Sequence, residues 1–340
     1  MITGSCLCGG VRFAIQRAVG PFELCHCRRC RKASGGAFVA GLGVRAADFE
    51  LLEGKELIAT YEAPLLESPP PYRVSFCRRC GSPVPNPQRG ATWFEIPAGL
   101  LDDDPGLRPD QHIFVELKAP WFAITDTLPQ YDKPALLALR LAAQLEPLER
   151  RYREWAAPID RVIKEKTARL NRNGYGAGDW WRDVQSVRAA QQAKDDPYAE
   201  MYALLDLLCP RYLAAPAAER AAIRGAVGGR VGMLSALLGY IHRAARQIHS
   251  PADEHWLIHG LAAASIENCH RDFRDVLLAL AELYVAAEAG GMDPKPAFAR
   301  VAALSDSDKP AGGPTPVREM LAHFHDYAVL AERKARAGAR

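Results

Sequence analysis

Nowhere does the chain carry the roughly 20 consecutive apolar residues that a membrane span requires. Its most apolar late segment, "MLSALLGYIH" at 233–242, is interrupted well short of that length. The opening "MITGSCLCGG" lacks a basic stretch followed by an apolar run, so no secretory leader is expected. Charge of one sign is lacking too. The 43 Lys and Arg stand against 40 Asp and Glu, a net +3, and they are scattered rather than blocked. Neither nucleic acid nor a membrane is therefore expected as a partner. The expectation is a cytoplasmic protein, in which thiols stay reduced and clustered cysteines indicate metal or catalysis before disulfides.

What is present divides the chain in two. Its 340 residues exceed one small domain, and 49% apolar with 24% charged residues can build real cores. Up to about Asp132, short segments such as "VRFAI", "AFVAGLGV", "YRVSF", "TWFEI" and "HIFVEL" read as strands. The Gly and Pro clusters between them, "ESPPPY" and "GSPVPNPQRG", are incompatible with helix. From Pro134 the pattern turns helical, opening with "KPALLALRLAAQLEPLERRYREW" and its early proline. Further helices are predicted near 158–171, 198–209, 216–227, 230–249, 252–268, 272–289 and 294–304. A linker at about 305–315 and a last helix at about 316–335 follow. No fixed period with matching residues relates the helices, which gives little support to a repeat array. The expected fold class is α+β multidomain: an antiparallel β domain over 1–133, then an all-α domain over 134–340.

Seven of the nine cysteines lie in the first 80 residues: Cys6, Cys8, Cys25, Cys27, Cys30, Cys77 and Cys80. Cys6 and Cys8 form C-x-C among glycines, and Cys77 and Cys80 form C-x-x-C before Gly81, the shape of a zinc knuckle. Two pairs distant in sequence suit a closed four-thiolate site, because a tetrahedral metal would tie the first strand to a far hairpin. Such a staple adds stability that a small β core lacks. Cys25, Cys27 and Cys30 remain. Three protein ligands with a vacant fourth position suit a metal that does chemistry. Spacing leaves alternatives open. His26 can complete a closed site, although neighbours on an extended segment point to opposite faces, or all seven thiols can serve structural metals.

The ordered segments "GSCLCGGVRF", "CHCRRCRKASGGAF", "FCRRCGSPV" and "HIFVELKAPWF" resemble the glutathione-dependent formaldehyde-activating enzyme family, which includes centromere protein V. The likeness covers about the first 130 residues and the order of all seven cysteines. It implies a zinc-bound β-tent built of small antiparallel sheets. It also implies two zinc ions per chain: a structural one on Cys6, Cys8, Cys77 and Cys80, and a catalytic one on Cys25, Cys27 and Cys30. The activity implied joins formaldehyde to glutathione, a carbon–sulfur lyase reaction run as addition, with a small thiol and an aldehyde as substrates. The alternative is a zinc-stabilised protein-interaction module without catalysis.

Around these motifs, Arg28, Arg29, Arg31 and Lys32 either offset the charge of three thiolates, hold a carboxylate-bearing substrate, or form a solvated edge. Gly35 and Gly36 allow close approach of a ligand or simply a turn. Trp93, Phe94, Trp121 and Phe122 read as core before ligand-stacking residues. His112 reads as a structural hydrogen-bonding residue before a catalytic base, since no partner is visible in the sequence.

Nothing after Asp132 belongs to the family pattern. His255 and His259 stand at i and i+4 on one predicted helix face, but Trp256 occupies the place of the metalloprotease glutamate. With Glu267, Cys269 and His270 further on, ordinary packing is favoured over a third metal site. Cys209 reads as a small buried apolar residue. "GYGAGDWWRDV" is a contact surface or a core anchor, and a protein partner through the helical domain is one expectation for this half.

Overall fold

The computed structural model describes residues 1–62, 72–173, 178–267 and 274–307. The predicted last helix, and the linker beyond Ser307, lie outside the described residues. The chain separates into two compact units, Met1–Leu136 and Leu137–Arg340.

The first unit holds ten short strands: β1 (Ile2–Ser5), β2 (Arg12–Ile15), β3 (Phe22–Cys25), β4 (Val39–Arg45), β5 (Phe49–Glu53), β6 (Ile58–Glu62), β7 (Arg73–Cys77), β8 (Trp93–Pro97), β9 (Gln111–Ile113) and β10 (Gln130–Tyr131). They form a three-stranded sheet ordered β1-β2-β5, a five-stranded sheet ordered β10-β9-β3-β4-β8, and the β6-β7 pair. Helix α1 (Arg28–Ser34) follows β3.

Phe13 and Ile15 of the small sheet pack with Phe22, Leu42, Val44 and Ile96 of the large one. Alternation along β4 drives this arrangement: Leu42 and Val44 face the core, while Gly43 lies on the opposite side. A Cβ on Gly43 would stand 2.2 Å from the Gly20 carbonyl oxygen, so only glycine lets the backbones meet there.

Two expectations change. The large sheet is mixed rather than antiparallel, because β9 runs parallel to both β3 and β10. The long chain segments before β9 and β10 bring each strand in along the direction of its neighbour, as parallel pairing requires. The strand expected at "HIFVEL" also stops early. Phe114 turns into left-handed backbone at φ 57° and Val115–Leu117 form a 3₁₀ turn. Pairing ends at that point because β3 ends at Cys25, opposite Ile113.

The helices that follow are α2 (Lys133–Asn173), α3 (Gly178–Gln192), α4 (Pro197–Ala214), α5 (Ala217–Val227), α6 (Val231–Gln247), α7 (Glu254–Glu267), α8 (Arg274–Ala289) and α9 (Lys295–Ser307). α2 is one helix where two are predicted, and it runs through Pro147 and Pro158. Each proline removes one i→i−4 bond, but buried Leu141, Leu145, Trp155 and Ile159 anchor the turns around them. α4 likewise runs through Pro210, past its predicted end. α3 is an additional helix among the described residues, and α9 reaches into the expected linker as far as Ser307.

One large apolar core organises the helical unit, with a smaller cluster of Trp155, Ala156, Ile159 and Val184 on α2 and α3. On α6, Met233, Ala236, Leu237, Tyr240, Ile241 and Ala244 recur at helical spacing and are buried. α7 is buried on nearly every side from Gly260 to Ile266, since alanines there let α4, α6, α8 and α9 approach it. No single helix among the described residues is long and apolar enough to cross a membrane.

Candidate metal centres

The first thiol cluster joins a turn after β1 to a turn after β7. Gly9 follows Cys8 and Gly81 follows Cys80, both in left-handed backbone at φ 69° and 76°. Each glycine N–H closes its turn on the carbonyl of the pair's first cysteine at 2.8 Å, Gly9 on Cys6 and Gly81 on Cys77. The two turns therefore present their sulfurs to one point. Cys6 Sγ lies 3.5 Å from Cys8 Sγ, and Cys8 Sγ lies 3.9 Å from Cys77 Sγ. Four sulfurs placed tetrahedrally at about 2.3 Å from zinc would stand about 3.8 Å apart, so the spacing fits the ion. The Val11 N–H points at Cys6 Sγ at 3.2 Å, and the Ser82 hydroxyl, 3.4 Å from Cys80 Sγ, pulls that thiol down to about 5. Both contacts favour thiolate, the form that binds metal.

The second cluster is built on the end of β3. Cys25 closes the strand, the His26 N–H donates to the Ile113 carbonyl at 3.0 Å, and Cys27 caps α1 by accepting the Cys30 N–H at 3.4 Å. The first turn of α1 carries Cys30 back beside Cys27. Gly35 ends this helix, its N–H on the Arg31 carbonyl at 2.9 Å, so it serves a turn.

The sulfurs of Cys25, Cys27 and Cys30 lie within 4.8 Å of one another. Hydrogen bonds from Cys25 and then Cys30 pull the Cys27 thiol down to about 2, and bonding to Cys27 and then Cys30 pushes Cys25 far up. Three thiols this close resist ionising together, whereas a divalent cation would let all three ionise. The donor set therefore fits zinc. His26 is not part of the group. Alternation turns its ring away from the cysteines, to the sheet face that also carries His112.

That face holds an arrangement with no signal in the sequence. His26 Nε2 lies 2.8 Å from His112 Nδ1, and His112 Nε2 lies 3.0 Å from an Asp126 carboxylate oxygen. Both imidazoles are buried. Phe38 and Phe122 enclose the His26 ring at centroid distances of 5.5 and 5.7 Å. Burial, and then the neighbouring His112, lowers the His26 pKa. Asp126 also accepts the Leu128 N–H at 3.0 Å, a local turn for which "TDTLP" is a readable signature.

Tyr72 is a second residue that sequence reading passed over. Its hydroxyl is within hydrogen-bonding reach of Cys30, and burial followed by the charge of Cys30 raises its pKa. The Arg29 guanidinium lies 5.4 Å from its ring centroid. Arg29 and Arg31 are half-buried, while Arg28 and Lys32 are exposed. Phe94 packs into the core against Phe49, but Trp93 and Trp121 are largely exposed.

In the helical unit, the His255 and His259 rings lie 6.1 Å apart, and no third group of three metal-type side chains forms among the described residues. Cys209 is fully buried and burial raises its thiol pKa. Cys269 and His270 lie outside the described residues.

The family of the glutathione-dependent formaldehyde-activating enzyme matches residues 1–117. A Halomonas elongata protein named "Putative glutathione-dependent formaldehyde-activating enzyme" is 33% identical over 131 residues, covering 36% of this chain and 81% of its own. A crystal structure of a Rhodobacter sphaeroides protein aligns at 20% identity and a TM-score of 0.24, over 38% of this chain and 99% of that one.

Proposed function

The chain belongs, through its N-terminal unit, to the glutathione-dependent formaldehyde-activating enzyme family, and we propose that it joins a small thiol to an aldehyde at Cys25, Cys27 and Cys30. This is a carbon–sulfur lyase reaction run as addition, with glutathione and formaldehyde as the substrates the family suggests. One observation carries the reading: three thiols converge, and no other described His, Cys, Asp or Glu joins their group. A fourth coordination position is thereby left for substrate.

Zinc held there would supply a lowered pKa to a bound thiol, which is otherwise protonated below about 8.5. The thiolate sulfur attacks the aldehyde carbon, the carbonyl electron pair moves to oxygen, and that oxygen takes up the proton the thiol released. Tyr72, whose phenol stays protonated at neutral pH, offers a hydrogen bond beside Cys30. Arg29 and Arg31 supply positive charge for the carboxylates of a glutathione-like thiol. Cys6, Cys8, Cys77 and Cys80 take a structural role with a second zinc ion. The reading places the protein in the cytoplasm, where thiols are kept reduced.

The test is exchange NMR on the full chain with glutathione and carbon-13 formaldehyde. Exchange between free aldehyde and S-hydroxymethyl adduct is expected to accelerate, and Cys27→Ser is expected to abolish the acceleration while the four-cysteine site stays loaded. A chain that holds both metals yet leaves the exchange rate at its uncatalysed value would favour the interaction-module reading.

A further inference from the structure

The His26–His112–Asp126 chain lies on the sheet face opposite the three thiols, and the reaction proposed above makes no use of it. Its members are far apart in sequence yet joined by short contacts, 2.8 Å between the imidazoles and 3.0 Å to the carboxylate. His26 and His112 are 0% and 1% exposed. The Asp126 side chain, at 47% exposure, is the only member open to solvent.

Hydrogen-bond direction follows from the chemistry of the members. The Asp126 carboxylate can only accept, so His112 Nε2 carries its proton and donates. Neutral His112 then has a lone pair at Nδ1, and this accepts from His26 Nε2–H. One carboxylate thus sets the tautomer of two rings in series, as a carboxylate does for a single imidazole in hydrolytic triads. His26 Nδ1 is left as a buried atom without a hydrogen-bond partner among the described residues. The Ala37 backbone also approaches the ring, but the contact with His112 is the one that meets hydrogen-bond geometry.

His26 is also the residue between two metal-type thiols. Anchoring its ring restrains the backbone that joins Cys25 to Cys27 and aims both thiols. The His26 N–H bond to Ile113 fixes one side of this backbone, and the ring bond to His112 fixes the other. Both anchors sit on or beside β9, so the thiols are held from one strand at two points.

We propose that His112 and Asp126 are positioning residues for the Cys25–Cys27–Cys30 centre, acting through the His26 ring to hold two of its three thiols in a metal-ready arrangement. The inference rests on the reading that these thiols hold zinc. Partners that orient the immediate surroundings of a metal typically change its affinity by about 10–100-fold when removed.

The experiment compares zinc release from the full chain into an excess of chelator, where the two centres give two kinetic phases. Assignment of the phases comes from Cys27→Ser, which removes the three-cysteine phase. Asp126→Ala, at a solvent-facing position, is expected to accelerate the three-cysteine phase by about tenfold while leaving the four-cysteine phase unchanged. Asp126→Glu, which keeps a carboxylate, is expected to restore most of the loss. With cobalt in place of zinc, Asp126→Ala should shift the absorption bands of the three-cysteine centre alone. Nitrogen-15 NMR of the imidazoles at pH 8 should find both His26 and His112 protonated at Nε2. A three-cysteine phase unchanged in Asp126→Ala, or both phases accelerated equally, overturns the positioning role. A wild-type chain with no metal on the three thiols overturns the zinc reading itself.

Discussion

The two units solve the same stability problem by different means. The helical unit has one large apolar core running from α2 to α9, with α7 at its centre, and one small cluster beside it around Trp155 and Val184. The N-terminal unit has several small clusters instead, and two of its three contain cysteines as core members: Cys6 and Cys77 with Val11 and Val84, and Cys25 with Ile113 and Leu136. Short strands joined by Gly and Pro turns bury little apolar surface per residue, so a unit of this size stays near the margin unless it is stapled. Structural zinc sites contribute apparent folding free energies of about 10 kcal/mol or more, as much as the whole net stability of an ordinary domain. On the function proposed above, chemistry and staple would use the same residue type in one unit, while the other depends on packing.

The largest effect should come from breaking the staple. Cys77→Ser is expected to abolish the protected strand amides of the N-terminal unit while the helical amides keep their protection. Hydrogen exchange followed by mass spectrometry checks this, and equal loss in both units would mean that the contrast is false. A smaller effect is expected from cutting the helical core. Leu261 is fully buried on α7, and Leu261→Ala should cost about 2–5 kcal/mol by lost transfer energy and cavity formation. Zinc content should stay the same, as elemental analysis beside urea unfolding would show.

The smallest effect concerns pH. Burial pushes the Glu267 carboxyl up to about 7 from an ordinary 4.5. The folded state therefore keeps a proton that the unfolded chain has released, and stability falls as pH rises from 4.5 to about 7. Glu267→Gln should raise the melting temperature of the helical unit at pH 8 and leave it unchanged at pH 4. With zinc held as proposed, the N-terminal unit should show the opposite trend, weakening toward acid as thiolates protonate. A Glu267→Gln gain as large at pH 4 as at pH 8 would contradict this assignment.

Cysteine spacing marked both clusters because a metal centre places residue types at short, fixed separations, and C-x-C, C-x-x-C and the run from Cys25 to Cys30 can be read directly. The helices after Pro134 were legible for a related reason, since an apolar stripe repeats at the helical period. Their ends were not. Pro147, Pro158 and Pro210 lower local helix preference, and packing by residues such as Leu145 and Tyr212 overrides it. β9 ends at Ile113 although "HIFVEL" has strand composition, because strand length depends on how far a partner runs alongside.

The chain's order of amino acids determined by itself that a thiol-rich β unit precedes a helical one and where seven cysteines cluster, because those properties reside in local spacing and composition; that the sulfurs gather as four and three came from the fold. Only the tertiary structure decided which way His26 faces, that β9 runs parallel to β3, and that His112 meets both His26 and Asp126. Those facts depend on strand register, which pairs Leu24 with His112 and Cys25 with Ile113 across 88 positions. Register is set by the fit of whole sheet faces to the core, and a shift of one residue would exchange the thiol face for the imidazole face.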